Sequence, residues 1–150
     1  MNHHNKRPET SFPHLAFPRC WQVLAALATL AVIVLSLMPK PPQPPGALSW
    51  DKAQHVLAYF VLAAAWVQAT RGRWWLLTAS IVFALGLTLE LLQGMGGPRQ
   101  LQLTDMLANA IGVGAGAGLC LTPFGRSLGL LDTVVARLLT GKPTGKQGGR

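Results

Sequence analysis

The sequence predicts an all-α, polytopic membrane protein: four transmembrane helices plus a C-terminal amphipathic helix lying on the membrane surface. Three observations predict it. Trp21 to Met38 (WQVLAALATLAVIVLSLM) carries no charge and, at about 1.5 Å per residue, is long enough to cross a hydrocarbon core of about 30 Å. Three further apolar runs follow, over residues 53–69, 74–92 and 106–121. Across the chain 50% of residues are hydrophobic, 12% are charged and the mean hydropathy is +0.33. A soluble domain of 150 residues would need helices with a polar face. These runs are apolar nearly all round, and a core of that size does not hide four of them.

Taken in order, residues 1–19 are polar and punctuated by proline, with too little apolar material to fold alone, so they are expected to form a disordered cytoplasmic tail. His3, His4 and His14 lie there and read as mobile surface rather than metal ligands. The first run reads as an anchor, not a cleaved signal, because it is longer than a usual signal core. The segment PKPPQPP also separates it from the small residues at Ala47-Leu48-Ser49. That segment predicts a stiff, extended external spacer. Ser49 is the expected N-cap of the second helix, with Trp50 at the interface. Trp74 and Trp75, just after Arg71 and Arg73, anchor the start of the third.

The loop GMGGPRQLQL is rich in glycine and can turn tightly, bringing Arg99 back over the helix ends. In the fourth helix two overlapping GxxxG pairs, Gly112 with Gly116 and Gly114 with Gly118, point to opposite sides, so this helix is expected to be central and to pack closely on two neighbours. The string GVGAGA is not a dinucleotide-binding loop, since no strand precedes it. Pro123 ends the fourth span. Leu128, Leu131, Val135 and Leu138 then predict an interfacial amphipathic helix reaching about Thr140, with a basic tail behind it. The organisation is therefore 1–19 tail, 20–122 four-helix transmembrane domain, and 123–150 interfacial helix and basic cytoplasmic tail.

Orientation follows from the basic residues. With both termini cytoplasmic, Lys6, Arg7, Arg19, Arg71, Arg73, Arg126, Arg137, Lys142, Lys146 and Arg150 lie inside, ten of 13 positive charges. Only Lys40, Lys52 and Arg99 fall outside. A basic cytoplasmic rim facing anionic lipid accounts for the net charge of +8, so membrane lipids are expected partners and nucleic acid is not. Cys20 and Cys120 fall near the cytoplasmic side, where no disulfide is expected.

The chain has only 5 acids, and Asp51, Glu90 and Asp105 sit beside or inside the apolar runs at one membrane face. Asp51, His55 and Tyr59 follow each other at four-residue spacing along one face of the second helix. Asp105, Asn109, Gly112 and Gly116 share an arc of about 60° on the fourth. Glu90 and Gln93 are neighbours on the third, with Gly86 continuing their face downward. Singly, Asp51 and Asp105 could be first-turn carboxylates favoured by the helix dipole, His55 a satisfied polar group, and Gln93 a contact for interfacial water. Glu90 resists such a reading. It lies in the last turns of an apolar helix, where the dipole opposes it and hydrocarbon costs an acid about 2.5 kcal/mol or more. Arg99, Lys52 or His55 as counter-charges, a bound cation, or neutralisation are the open explanations.

Two chemistries remain open. Asp51, His55, Glu90 and Asp105 could form a carboxylate-rich metal site, although no fixed ligand spacing supports one, and no metal or other cofactor is expected. Alternatively, Glu90 or His55 serves as a general base toward an amphiphile in the outer leaflet. A serine or cysteine nucleophile is not expected, and whether the protein is an enzyme stays open.

The ordered set D-K-x-x-H-x-x-x-Y at Asp51, Lys52, His55 and Tyr59, E-x-x-Q at Glu90 and Gln93, Arg99 in the loop, and D-x-x-x-N-x-x-G at Asp105, Asn109 and Gly112 resembles the VanZ-like membrane protein family. The resemblance covers about half the chain. It implies a small multi-pass protein of the bacterial inner membrane, similar to one linked with resistance to the glycopeptide teicoplanin, and it supplies no reaction. The loop departs from the family pattern, with Gly94-Met95-Gly96-Gly97-Pro98 where a more aromatic stretch is expected. The expectation is an outer-facing polar pocket that engages an envelope lipid, a cell-wall precursor or an amphiphilic antibiotic. Enzymatic action on that amphiphile is the alternative, and proton- or cation-coupled transport a lesser one.

Overall fold

The computed structural model describes residues 15–38, 42, 46, 50–70, 72, 74–95 and 102–141, and their regular elements are all helical. Helix α1 runs Pro18–Leu37, α2 Asp51–Ala69, α3 Trp75–Met95 and α4 Leu103–Cys120. A short 3-10 turn over Pro123–Arg126 leads into α5, Ser127–Thr140. Helices α1 to α4 alternate in direction, so the ends of α1 and α3 meet the starts of α2 and α4. Gln93 of α3 donates to the Ser36 carbonyl of α1, and His55 of α2 bonds Asn109 of α4.

Among the described residues three helices, α1, α3 and α4, are long and apolar enough to cross a membrane. The sequence predicted four such runs. Helix α2 falls short because Asp51, Lys52, Gln54 and His55 occupy its first turn and a half. Its position in the bundle explains why that polarity is tolerated. It touches α1, α3, α4 and α5 and buries Tyr59, Leu62, Ala63, Ala64, Val67 and Ala69, and Lys52 and His55 of its polar start bond to Asp105 and Asn109 of α4. The outer surfaces of the other helices are the reverse of a soluble protein's. Leu27, Leu30, Leu77, Ile81, Leu107 and Ile111 all remain more than half exposed, and α1 buries only Ala25. Such a continuous apolar surface calls for lipid around it.

The seam between α2 and α4 is the closest in the bundle. A Cβ built on Gly112 would stand 2.5 Å from the Val56 carbonyl oxygen, and one on Gly116 would collide with the Phe60 carbonyl. Of the two expected glycine faces, only this one is used. Gly114 and Gly118 have open space around them, so the central position belongs to α2, and α4 presents its second glycine face outward. The α2–α3 connection turns at Gly72, whose φ of +61° lets its N–H reach the Val67 carbonyl at 2.8 Å.

At the opposite end of the bundle from Asp51, α1 begins with Pro18 at its first position, where a missing N–H costs nothing. Leu15 is buried there, in the segment that leads into α1. Its anchor is Asp132 of α5. This carboxylate accepts hydrogen bonds from the Ala16 backbone N–H, the Phe17 backbone N–H at 3.1 Å and the Trp21 indole N–H at 2.8 Å. Burial pushes the Asp132 carboxyl up, but the three donors outweigh it and hold the group below the usual carboxylate range. Asp132, Gly129 and Ala136 thus face the bundle, while Leu130, Leu131, Val134, Leu138 and Leu139 are exposed.

Other sequence expectations lie outside the described residues: the N-terminal histidines, the proline spacer, the Ser49 cap and the basic C-terminal tail. The residue preceding α2 is Trp50, with no side-chain cap. Cys20 and Cys120 are free thiols, the first exposed and the second buried.

Candidate functional site

Polar side chains gather where α2 and α4 begin and α3 ends. Each is placed by helical register. Asp51, Lys52, His55 and Tyr59 span the first two turns of α2. Asp105 and Asn109 stand one turn apart at the start of α4, and Glu90 and Gln93 one turn apart near the end of α3. Gly86 completes the arrangement from below. A Cβ there would lie 2.9 Å from the Tyr59 ring and 3.0 Å from the Asn109 amide nitrogen, so the absent side chain lets α3 close over both.

The structure divides the candidates into two groups. In the first, on the α2–α4 seam, Lys52 Nζ stands 2.7 Å from Asp105 Oδ1, with Asp105 nearly buried, and donates to Gln102 Oε1 at 3.2 Å. Beside it Glu90 is 4% exposed and accepts the Gln102 backbone N–H at 3.4 Å. The stranded acid therefore turns inward, as expected. Of its expected counter-charges, Lys52 is engaged by Asp105, His55 by Asn109 and Asp51, and Arg99 lies outside the described residues. Gln102 is the member sequence reasoning missed. It serves both Lys52 and Glu90 through its side chain and backbone, and no residue-type signal singles it out.

The second group surrounds an open cavity of about 180 Å³ between α1, α2 and α3. Its walls include Asp51, Gln54, His55, Tyr59, Gln93 and Ser36. The imidazole of His55 is oriented from behind: its Nδ1 lies 2.9 Å from Asn109 Oδ1. The amide of Asn109 therefore fixes the ring orientation through Nδ1 and leaves Nε2 on the Asp51 side of the ring. Nε2 faces Asp51 Oδ2 at 3.8 Å, and the ring lies parallel to that of Tyr59 at 6.5 Å. Gln93 is tied to α1 through its 2.6 Å bond to the Ser36 carbonyl. Among the described residues the buried Asn109 amide nitrogen has no hydrogen-bond partner.

Chemically, the arrangement offers an imidazole held between the Asp51 carboxylate and the Asn109 amide at a cavity wall. Among the described residues Asp51, His55 and Asp105 could bring three ligand atoms within 4.8 Å of one another for a metal ion. Lys52 already neutralises Asp105, and Glu90 is not part of that group, so the four-residue metal set weighed from sequence does not assemble. Comparison of the chain with known protein families, curated proteins and solved structures finds no match.

Proposed function

We propose that this chain is a bacterial inner-membrane protein whose outer-facing pocket engages an envelope lipid, a lipid-linked cell-wall precursor or an amphiphilic antibiotic of the glycopeptide type. In this reading α2 crosses the bilayer with α1, α3 and α4, both termini are cytoplasmic, and α5 lies on the cytoplasmic surface with its leucines in the interface. The ordered polar residues that resemble the VanZ-like family support it. The observation that carries it is the cavity walled by Asp51, His55, Tyr59 and Gln93 at one end of a bundle whose flanks are apolar. A polar recess opening beside lipid suits a ligand that is itself half polar.

Gently purified protein is expected to retain an amphiphile detectable by native mass spectrometry, and His55→Ala to lose it while still folded and inserted. Equal retention by both would refute the reading. A second reading, an enzyme acting on the same amphiphile, is favoured by the placement of His55 at the cavity wall between Asp51 and Asn109, where an imidazole can take or give a proton. Conversion of the retained amphiphile by the intact protein, abolished by His55→Ala, distinguishes it from binding alone.

A further inference from the structure

We infer that the ligand of this pocket is an acyl-chain lipid with a primary ammonium headgroup, seated sideways from the bilayer in a groove between α1 and α2. The inference rests on the outer-facing amphiphile pocket proposed above. Directly adjoining the polar cavity is a second one, of about 280 Å³, lined by Ala28, Val32, Leu57, Ala58, Val61 and Leu62. The two cavities share Val32, Gln54 and Ala58, so the polar mouth and the apolar channel lie side by side along the same faces of α1 and α2. Leu57 and Val61 are each 46% exposed, so the channel is open along its lipid-facing side. From Asp51 to Leu62 the groove follows α2 for about 17 Å. A ligand that fills it must be polar at one end and apolar for most of its length, which describes a lipid and not a soluble metabolite.

The headgroup chemistry follows from charge. Among the described residues lining the mouth, Asp51 is the one with a fixed charge, and its side chain is 54% exposed beside His55. A primary ammonium can pair with that carboxylate and donate N–H groups to it. The phosphate is common to all three headgroups, a quaternary ammonium has the charge without a donor, and a glycerol headgroup has donors without the positive charge. Phosphatidylethanolamine therefore fits the mouth better than phosphatidylcholine or phosphatidylglycerol.

The test uses the full chain in nanodiscs containing equal parts of these three lipids with matched chains, and native mass spectrometry of what stays bound. The expected result is one ethanolamine lipid per chain, favoured about tenfold, as for a charge-assisted contact. Asp51→Asn should abolish the preference while lipid is still retained. Val61→Trp, placed at the half-exposed lip where folding tolerates bulk, should lower retention of all three lipids by obstructing the channel. Equal retention of the three headgroups, a preference for the anionic lipid, or a preference unchanged by Asp51→Asn each overturns the inference. His55-dependent retention of some other amphiphile would overturn it and leave the pocket reading standing. Absence of any retained amphiphile overturns both.

Discussion

Gly112 and Gly114 are two residues apart and chemically identical, yet they should respond oppositely to the same change. At Gly112 a methyl group has to push against the Val56 carbonyl, so Gly112→Ala is expected to destabilise by about 1–3 kcal/mol through overpacking. At Gly114 there is open space, and Gly114→Ala should be neutral or stabilise by up to about 1 kcal/mol through helix propensity. Thermal unfolding of the two variants in the same detergent compares them directly. The Lys52–Asp105 pair makes a second residue-level prediction. Lys52→Met leaves a nearly buried carboxylate unpaired and should lower the melting temperature. Adding Asp105→Asn removes the orphaned charge, so the double variant should melt above Lys52→Met alone. Lower melting of the double variant would show that Asp105 is held by groups other than the lysine.

Helix α5 is tied to the start of α1 through the side chain of Asp132. Asp132 supplies the acceptor for two backbone N–H groups before α1 and for Trp21, so Asp132→Asn, which weakens three charge-assisted bonds, should cost about 1–3 kcal/mol locally. Hydrogen exchange in α5 and the first turn of α1 should rise together, with α2 and α4 unaffected. The pH dependence has a definite sign. The folded carboxyl titrates below its unfolded value of about 3.9, so its contribution is complete above that value and fades as pH falls through the lower folded one. Above about pH 5 the attachment should not depend on pH, and acidification toward pH 3 should begin to release α5. The helical period of α5 was legible in its leucines. Its attachment was not, because Asp132 is one acid on a surface-like helix in sequence and becomes a buried cap only when a segment more than a hundred residues away folds against it.

For the whole molecule, the two ends of the bundle should face opposite compartments. Cys20 is exposed and Cys120 buried at the same end, while Met95 is exposed at the other. A membrane-impermeant maleimide is therefore expected to label Met95→Cys in a Cys20→Ser background on intact cells, and Cys20 only after permeabilisation. Reversed labelling would invert the orientation and move the candidate site to the cytoplasmic side. The candidate site itself was partly legible along the chain. Four-residue spacing put Asp51, His55 and Tyr59 on one face, and the cost of an acid in an apolar helix marked Glu90 as inward-facing. The spacing did not reveal that Lys52 and Asp105 close the α2–α4 seam while Asp51, His55 and Gln93 border a cavity on the α1 side.

What the sequence determined by itself was the class: apolar runs of membrane length, their alternation with polar turns, and the gathering of acids, amides and one imidazole at one end. These follow from the local cost of exposing each residue to water or lipid, which is a property of composition and period. What only the tertiary structure decided was partnership: which glycine face packs, which helix is central, which cation meets which acid and which side chains reach the cavity. These depend on how helices distant in the chain rotate and slide against one another. Close backbone approach at Gly112 and Gly116 sets that rotation for α2 and α4, and no single helix encodes it.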